Sequence, residues 1–567
     1  MKVKKLNILL ILMALMILPN ISFSQDVVIV PDNIGGNPLD ALSIFIANDT
    51  SSTGGRDNPD RIYKLERGKI YLMGKPLQVD FNLNLVADDD DPANPTRPPM
   101  LARAYDIQGA MAGALFMFNT DSLHITMKNL FFNGIQMPDA DNPKGRLYGG
   151  YGKPLLLRGS GTKVEVDKCV FSGWGVMGTG SAVDFSFKFT NNIVRNAVDY
   201  INPWGGMVID NNKDCDSLIF VNNTFFNVSS YIVLTNRAIS NYVLFDHNTI
   251  FINTINGFFM PYITDARITN NLIYGYVSMG QLPEEIFGGW YDWDNQICGI
   301  ASITTVDPNK LADAGLTKAD REVIYENNGY AWPSAFTDYW NSIDTMEATV
   351  WMNERTKGMY SDKSTYPLLY EGGNLEADPG FEDASMVSTI VAKELEFVKA
   401  FRNDGLSGTG GIDRTYVPDG EYWDVAWPLP ENLKYTNTTL LTKATGSFPV
   451  GDLNWYPDKK AEWVEWCKTD IRKDDNASVP SEYKLSQNYP NPFNPTTEIN
   501  FSIPASGNVS LAVYNVLGQK VATLVNKELT AGAYKYQFDA SNLTSGIYFY
   551  KLQANNYSQV RKMLLLK

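Results

Sequence analysis

Histidine is almost missing from this chain: His124 and His247 are the two in 567 residues. A Ser/His/Asp triad or a histidine-built metal centre therefore has little to draw on. Cysteine is scarce as well. Cys169, Cys215, Cys298 and Cys467 show neither metal-ligand spacing nor a disulfide framework, and a single bridge is open to them after export. Positive charge is short, with 48 Lys and Arg against 63 Asp and Glu and a formal charge of −15. The deficit is uneven. Residues 486–567 carry seven basic and three acidic residues, and the first five residues hold three lysines, which leaves about −22 on the body between. A body so acidic offers no patch for phosphates, so nucleic acid is not expected as a partner. It also repels a polyanion unless a cation or a local basic groove intervenes. Beyond residue 18 no apolar run approaches the ~20 residues of a spanning helix, so the mature chain is expected to have no transmembrane segment.

What is present begins with an export signal. Lys2, Lys4 and Lys5 precede an apolar run over residues 8–18, followed by Pro19, Asn20 and the small-residue stretch Ser22-Phe23-Ser24. This predicts a secretory signal peptide over 1–24, cut near Ser24–Gln25. No cysteine follows the run, so a lipoprotein anchor is not expected. The length of the chain implies more than one domain or a repeat fold, since single cores stop growing beyond roughly 250–300 residues.

A repeat fills the middle. "MKNLFFN" (127–133), "VDKCVFSG" (166–173), "FTNNIVRN" (189–196), "FVNNTFFN" (220–227), "FDHNTIFI" (245–252) and "ITNNLIYG" (268–275) align on Asn129, Cys169, Asn192, Asn223, Asn248 and Asn271. From Cys169 onward these anchors lie 23, 31, 25 and 23 residues apart, and "YENNGYAW" (325–332) adds Asn328 after an insertion. Apolar residues stand five and three before each anchor from Cys169 onward, as in Val164/Val166, Phe187/Phe189 and Val243/Phe245. Such period-two alternation marks strands with one buried face. Coils of this length stack into a right-handed parallel β-helix. The anchors are read as scaffold: Asn tolerates a left-handed turn, and stacked amides hydrogen-bond from coil to coil.

"RIYKLERGKIYLMGKPLQV", "NLNLVADDDDPANPTRPPML" and "SLHITMKNLFFNG", with the later "LEADPGF" (375–381) and "VGDLNWYP" (450–457), resemble the opening coils and closing segments of pectate-lyase-like β-helix proteins. The resemblance covers about residues 26–470 and implies the fold more than any activity. The expected body is 25–471, with helices over 385–402 and 458–471. The fold class is all-β: a right-handed parallel β-helix followed by a small antiparallel Ig-like sandwich.

Residues 472–485 are polar, contain Pro480 and read as a linker. After them, over 486–567, come the Pro490-Asn491-Pro492-Phe493 opening, a Leu517-Gly518-Gln519 step, Gly546-Ile547-Tyr548 and a basic terminus at Lys567. Alternating strands and glycine turns suggest the sandwich. The ordered features resemble the C-terminal sorting domain (type A) of the type IX secretion system of Bacteroidota. Pro490, Pro492, Phe493, Gly518, Gly546, Tyr548 and Lys567 carry that resemblance. It implies the outer-membrane translocon and its processing machinery as partners. It places the protein in the medium or on the outer-membrane surface of a Gram-negative cell.

Two functional classes stay open for the body. One is a non-catalytic β-helix that binds extracellular polysaccharide. The other, by family resemblance, is a lyase acting by β-elimination on uronic-acid glycans, with Lys or Arg as base and Ca²⁺ held by acids. Positions four and two before the anchors point outward and read Glu165/Asp167, Lys188/Thr190, Ile219/Val221, Leu244/Asp246 and Arg267/Thr269. Lys188, Arg267 and Arg195 are the candidate catalytic bases or charge clamps, with Asp167 and Asp246 as candidate Ca²⁺ ligands. The alternative is a solvated face of cross-coil ion pairs. A second outward column, three after the anchors, reads Phe132, Ser172, Arg195, Phe226, Phe251 and Tyr274. Phe226, Phe251 and Tyr274, with Trp204, Trp290 and Trp293 from bends or insertions, are candidates to stack on sugar rings, unless inserted loops cover the column. The run Asp88 to Asp91 is either a Ca²⁺ site or a solvated turn. Both histidines are expected on the surface. Hydrolase motifs of the polygalacturonase type do not occur, and Asp184 and Asp199 are weak candidates for that chemistry.

Overall fold

The computed structural model describes residues 26–50, 58–104, 113–136, 146–147, 152–199, 203–235, 238–260, 262–287, 296–469, 471–473, 480, 482–488, 491–529, 531–540, 543–555 and 557–566. The signal peptide, the 288–295 loop with Trp290 and Trp293, and the sorting residues Pro490 and Lys567 lie outside them. The chain divides into two compact units, one running to Lys459 and one from Lys460 to the end.

The first unit is the parallel β-helix that the repeat predicts. Each coil contributes one strand to each of three sheets. In one coil, Lys163–Asp167 joins an eleven-stranded sheet, Val170–Ser172 a ten-stranded sheet and Met177–Thr179 a seven-stranded sheet before the next coil begins at Phe185–Thr190. All strands within these sheets pair in parallel with the equivalent strand of the next coil, as in Val164 with Phe187 and Phe171 with Val194. Right-handed crossovers are the rule for parallel strands, and here they wind the chain into a spiral. Because side chains alternate across each strand, one set from every coil points into the same interior.

That interior is filled by columns of like residues. Val164, Phe187, Leu218 and Val243 stack in register, as do Val166, Phe189, Phe220 and Phe245, all buried. Phe220 lies 5.5 Å from Phe245 and Phe171 lies 4.6 Å from Phe132, within the range where aromatic pairs add to area burial. Phe132 therefore belongs to the inward column. In the first repeat the anchor position is Leu130, one residue beyond Asn129, because strand pairing sets Leu130 in register with Cys169.

The turn between the first two sheets holds two distinct columns. Asn129, Lys168, Asn191, Asn222, His247, Asn270 and Asn327 all have φ between 51° and 59°. Asn adopts this left-handed conformation more readily than most residues, because its short amide bonds locally. The next residue in each coil is the anchor, which does a different job. Asn223 shows the pattern. Its Oδ1 accepts from the backbone N–H of Asn192 at 2.9 Å and from Asn192 Nδ2 at 3.1 Å. Its Nδ2 donates to Asn248 Oδ1 at 2.8 Å and to the Phe189 carbonyl at 2.8 Å. The pattern repeats through Asn248, Asn271 and Asn328 and ends on Asn374. Cys169 starts the ladder by donating its backbone N–H to Asn192 at 2.8 Å. An anchor N–H faces the interior where no ladder carbonyl meets it, and a buried donor without an acceptor is costly. An Asn one coil on supplies the acceptor.

Insertions close the unit. Helices at Ser334–Asn341 and Glu354–Ser361 interrupt the last coils, and the helix expected over 385–402 spans Ala384–Asp404. The four cysteines are buried free thiols, and burial pushes the Cys215 thiol up to about 12 and that of Cys169 further, so neither is a nucleophile. Among the described residues no helix is long and apolar enough to cross a membrane.

The second unit is the antiparallel sandwich. One sheet orders Ile471–Lys473, Gly532–Asp539, Thr496–Ile503 and Lys484–Leu485; the other orders Lys520–Leu529, Gly507–Asn515, Gly546–Ala554 and Tyr557–Leu565. The segment read as a linker thus supplies both outer strands of the first sheet. Ile499, Phe501, Leu511, Val513, Tyr550, Leu552 and Met563 fill the space between the sheets.

Replacing Asn248 by Ala should remove acceptors for Asn223 and donors to Asn271 at the middle of the ladder. The expected loss is about 2–4 kcal/mol in the unfolding of the helical unit, read by denaturant titration. A loss under about 0.5 kcal/mol would show the ladder to be incidental.

Candidate functional site

The eleven-stranded sheet presents the expected outward column, and strand register fixes its spacing. Glu165, Lys188, Ile219, Leu244, Arg267 and Ile324 stand side by side in that order. Lys188 and Arg267 are therefore three strands apart, about 14 Å at the usual strand spacing, with Ile219 and buried Leu244 between them. Each cation meets acids beside it. Lys188 Nζ lies 3.4 Å from Glu165, while Arg267 pairs with Glu322 and, at 3.4 Å, with Asp265. His124, which is on the surface as expected, and Lys188 both hold the Glu165 carboxyl below its ordinary value, against the effect of its burial. This is a face of cross-coil ion pairs, and it does not bring the two cations to one substrate atom.

Asp167 and Asp246 are also three strands apart, separated by Thr190 and Val221. Both tie one coil to the next. Asp167 accepts from Thr190 at 2.7 Å and Asn191 at 2.6 Å; Asp246 accepts from Thr269 at 2.6 Å and Asn270 at 2.8 Å. Asp246 also meets His247 Nδ1 at 2.8 Å. Burial works to raise the Asp246 carboxyl, but His247 and the two hydrogen bonds outweigh it and hold it below its usual range. His247 is itself buried, contrary to expectation, because its turn lies in the left-handed column that the segment after Thr445 covers. The acids at 88–91 are likewise engaged: Asp88 with Lys64, Asp89 with Lys168, Asp90 with Arg67. Among the described residues no three His, Cys, Asp or Glu side chains gather as a metal-binding group.

The second outward column is covered. Arg195 is 1% exposed and bonds Glu431 at 2.5 Å, Ser172 at 3.1 Å and the Tyr416 carbonyl at 2.9 Å. Phe226 and Phe251 are fully buried and stack at 5.2 Å, and Phe251 stacks on Tyr274 at 5.6 Å. Phe381 closes edge-on over Phe251 and Tyr274 at 5.3 and 5.1 Å, and Tyr416 over Phe226 at 5.9 Å. These side chains, candidates to stack on sugar rings unless inserted segments cover them, are so covered and form a satellite core. Trp204 packs half-buried against the coil interior. Asp199, one of the weak hydrolase candidates, lends its carbonyl to Arg414.

The covering segment is what the repeat did not reveal. Residues 412–433 run as a strap over the ten-stranded sheet. Arg414, wholly buried, bonds Glu394 at 3.3 Å and Thr254 at 2.9 Å, and Asn227 and Asn196 bond the carbonyls of Arg414 and Tyr416. Trp423, Trp427 and Leu429 pack with Ile70 and Leu72 on the cluster around Met100, Phe131 and Val170. Tyr416, Tyr422, Trp423 and Trp427 each remain half-buried. Tyr422 donates to Asp413 at 2.5 Å and Trp427 Nε1 donates to Asp90 at 3.0 Å, which fixes two of the rings. From the strand of Phe226 to that of Ile70 this strip crosses six strands, about 24 Å. The signal in the sequence was the density of aromatics and acids in "TYVPDGEYWDVAW" (415–427), which lies outside the repeat.

Arg195→Ala leaves Glu431 buried without its cation and should cost about 3–5 kcal/mol in denaturant unfolding. Replacing both partners by Met and Leu should recover most of it. Lys188→Met, in a half-exposed pair, should change stability by no more than about 1 kcal/mol.

In the second unit the sorting residues close the sandwich on itself. Phe493 is buried, donates its N–H to Leu564 at 2.9 Å and accepts from Leu566 at 2.9 Å. Asn491 accepts from the Leu564 N–H at 2.9 Å, so the proline-flanked opening is stitched to the last strand. Pro492, which cannot donate, sits exposed between them. Gly518 turns a hairpin at φ 76°, and Tyr548 is buried with its hydroxyl donating to Thr544 at 2.8 Å. Gly546 opens the strand that carries Tyr548.

Residues 487–566 match the family described as secretion system C-terminal sorting domain. No curated protein matches the chain. The tail is thus the sorting domain of a type IX secretion system, and the protein that carries it is exported to the cell surface or released from it.

Proposed function

We propose that the β-helix is a non-catalytic polysaccharide-binding body, delivered to the outer surface by its tail, and that it holds glycan along the strap. The observation that carries this reading is the strip of half-buried Tyr416, Tyr422, Trp423 and Trp427 lying across the ten-stranded sheet. Aromatic faces fixed by packing are suited to sugar rings, since little entropy is lost when a ring stacks on them. Asp419 and Asp424 are exposed in the same segment, Asp424 with one oxygen on Arg97, and their carboxylates can accept hydrogen bonds from hydroxyls. With about −22 on the body, these carboxylates favour a neutral glycan over a uronate. A lyase would need a base and a charge clamp at one substrate carbon. Lys188 and Arg267 are each engaged with acids, and Arg195 lies beneath the strap, so elimination is the weaker reading.

The test is retention of the purified full chain on immobilised neutral and acidic polysaccharides. Binding to a neutral glycan is expected, and Trp423→Ala with Trp427→Ala should weaken it about fivefold or more, from roughly 0.5–1.5 kcal/mol per stacked ring. Absence of binding across the panel would sink the reading. Growth of ultraviolet absorbance from an unsaturated product on a uronate with Ca²⁺ would replace it by the lyase.

A further inference from the structure

The sorting domain carries an outer face that its own fold does not explain. Of the thirteen large hydrophobic residues exposed among the described residues, five fall within 516–566: Val516, Leu517, Ile547, Val560 and Leu566. Monomeric proteins rarely leave apolar side chains contiguous on the surface without a partner to cover them.

Strand pairing sets most of this group on one face. Residues directly opposite in an antiparallel sheet share a face. Leu511, Val513, Tyr550, Leu552 and Met563 of the second sheet point into the core, so the residues alternating with them point out. One outward row reads Lys520, Tyr514, Phe549 and Lys562 across all four strands. The row beside it holds Ala512, Lys551 and Val560, and on the other side Ile547 stands opposite Leu564. Val516 and Leu517, 65% and 78% exposed, extend the face as a hairpin tip. Between tip and strands lies a shallow cavity of about 400 Å³, lined by Tyr514, Phe549, Lys551 and Val560 among others. The charges in these rows are all lysines.

We propose that this face is the surface by which the sorting domain docks during export. Its occupant is a protein of the export machinery that presents an apolar projection flanked by carboxylates. The lysines at both ends of the central row match acids on the partner, and such complementarity sets orientation and speeds encounter. The cavity accepts a side chain, whereas a lipid surface offers no knob to fill it. An aromatic centre with a charged rim is also the arrangement in which binding energy concentrates.

The full chain, produced in the bacterium that makes it, provides the test. With Leu517→Asp and Val560→Asp together, the amount reaching the outer surface and the medium should fall at least tenfold. Folded full-length chain should accumulate inside the outer membrane. Both positions are more than half exposed, so the purified variant is expected to keep its unfolding midpoint. Should it misfold, Lys520→Glu with Lys562→Glu, both exposed, reverses the rim without touching the core and should lower export several-fold. Lys484→Glu, exposed on the other sheet, is the charge-matched control for the double Asp variant and should export normally. Normal export of the variants overturns the proposal. Sedimentation of the full chain with anionic phospholipid vesicles, abolished by the same substitutions, would make the face a membrane contact and also overturn it.

Discussion

The body depends on one hydrogen-bonding problem, repeated at every coil. A chain that turns sharply between two sheets leaves a backbone N–H aimed at the interior, away from any ladder carbonyl. An asparagine one coil further on answers it, and its own amide nitrogen then reaches onward to the next asparagine and back to a carbonyl of the coil behind. Every polar atom of the amide is used, so the column can be buried at no lasting cost in unmade bonds. Because each amide needs its neighbours in place, strand register follows from the ladder as much as from the apolar columns. The left-handed residue just before it sets the angle at which one sheet gives way to the next.

With the interior settled in this way, the outside of the coils is free to vary, and on the ten-stranded sheet it has been covered. Two buried ion pairs hold the cover: Arg195 with Glu431, and Arg414 with Glu394. Each is surrounded by further hydrogen bonds to hydroxyls or carbonyls. Pairs so buried contribute less net stability than their number suggests, but they fix where a segment with little regular structure must lie. Positioning, more than stability, is their contribution: they bring the rings of residues 416–427 to the surface in a fixed row.

The parts of this arrangement that follow local periodicity were legible in the chain. Inward columns such as Phe189, Phe220 and Phe245 can be read from alternation alone, and the tail from the order of its turns and its proline-flanked opening. What could not be read are relations across roughly 200 residues. Phe226 and Phe251 have the spacing of an outward face and are outward from their coil, yet Tyr416 and Phe381 seal them from solvent. Arg195 has the look of a free cation until Glu431 is set beside it. His247 stands where other coils place Asn or Lys, and nothing nearby in sequence shows that its turn is covered. The one-residue slip at Asn129 has a local cause. Its coil has Leu130 where later coils have an anchor, so the visible Asn was the left-handed one.

The short strand at Ile471–Lys473 lies against one edge of the sorting sandwich and pairs with three residues of Gly532–Asp539. It comes from upstream of the matched family region. Severing the chain between residues 473 and 484 turns that pairing from an internal one into a contact between two separate pieces. Once the short strand dissociates, the released tail bears a row of unsatisfied amides and carbonyls along one margin. Such a margin is adhesive toward any extended chain it meets. An address label cut loose in this way would be a hazard for the cell to clear or cap.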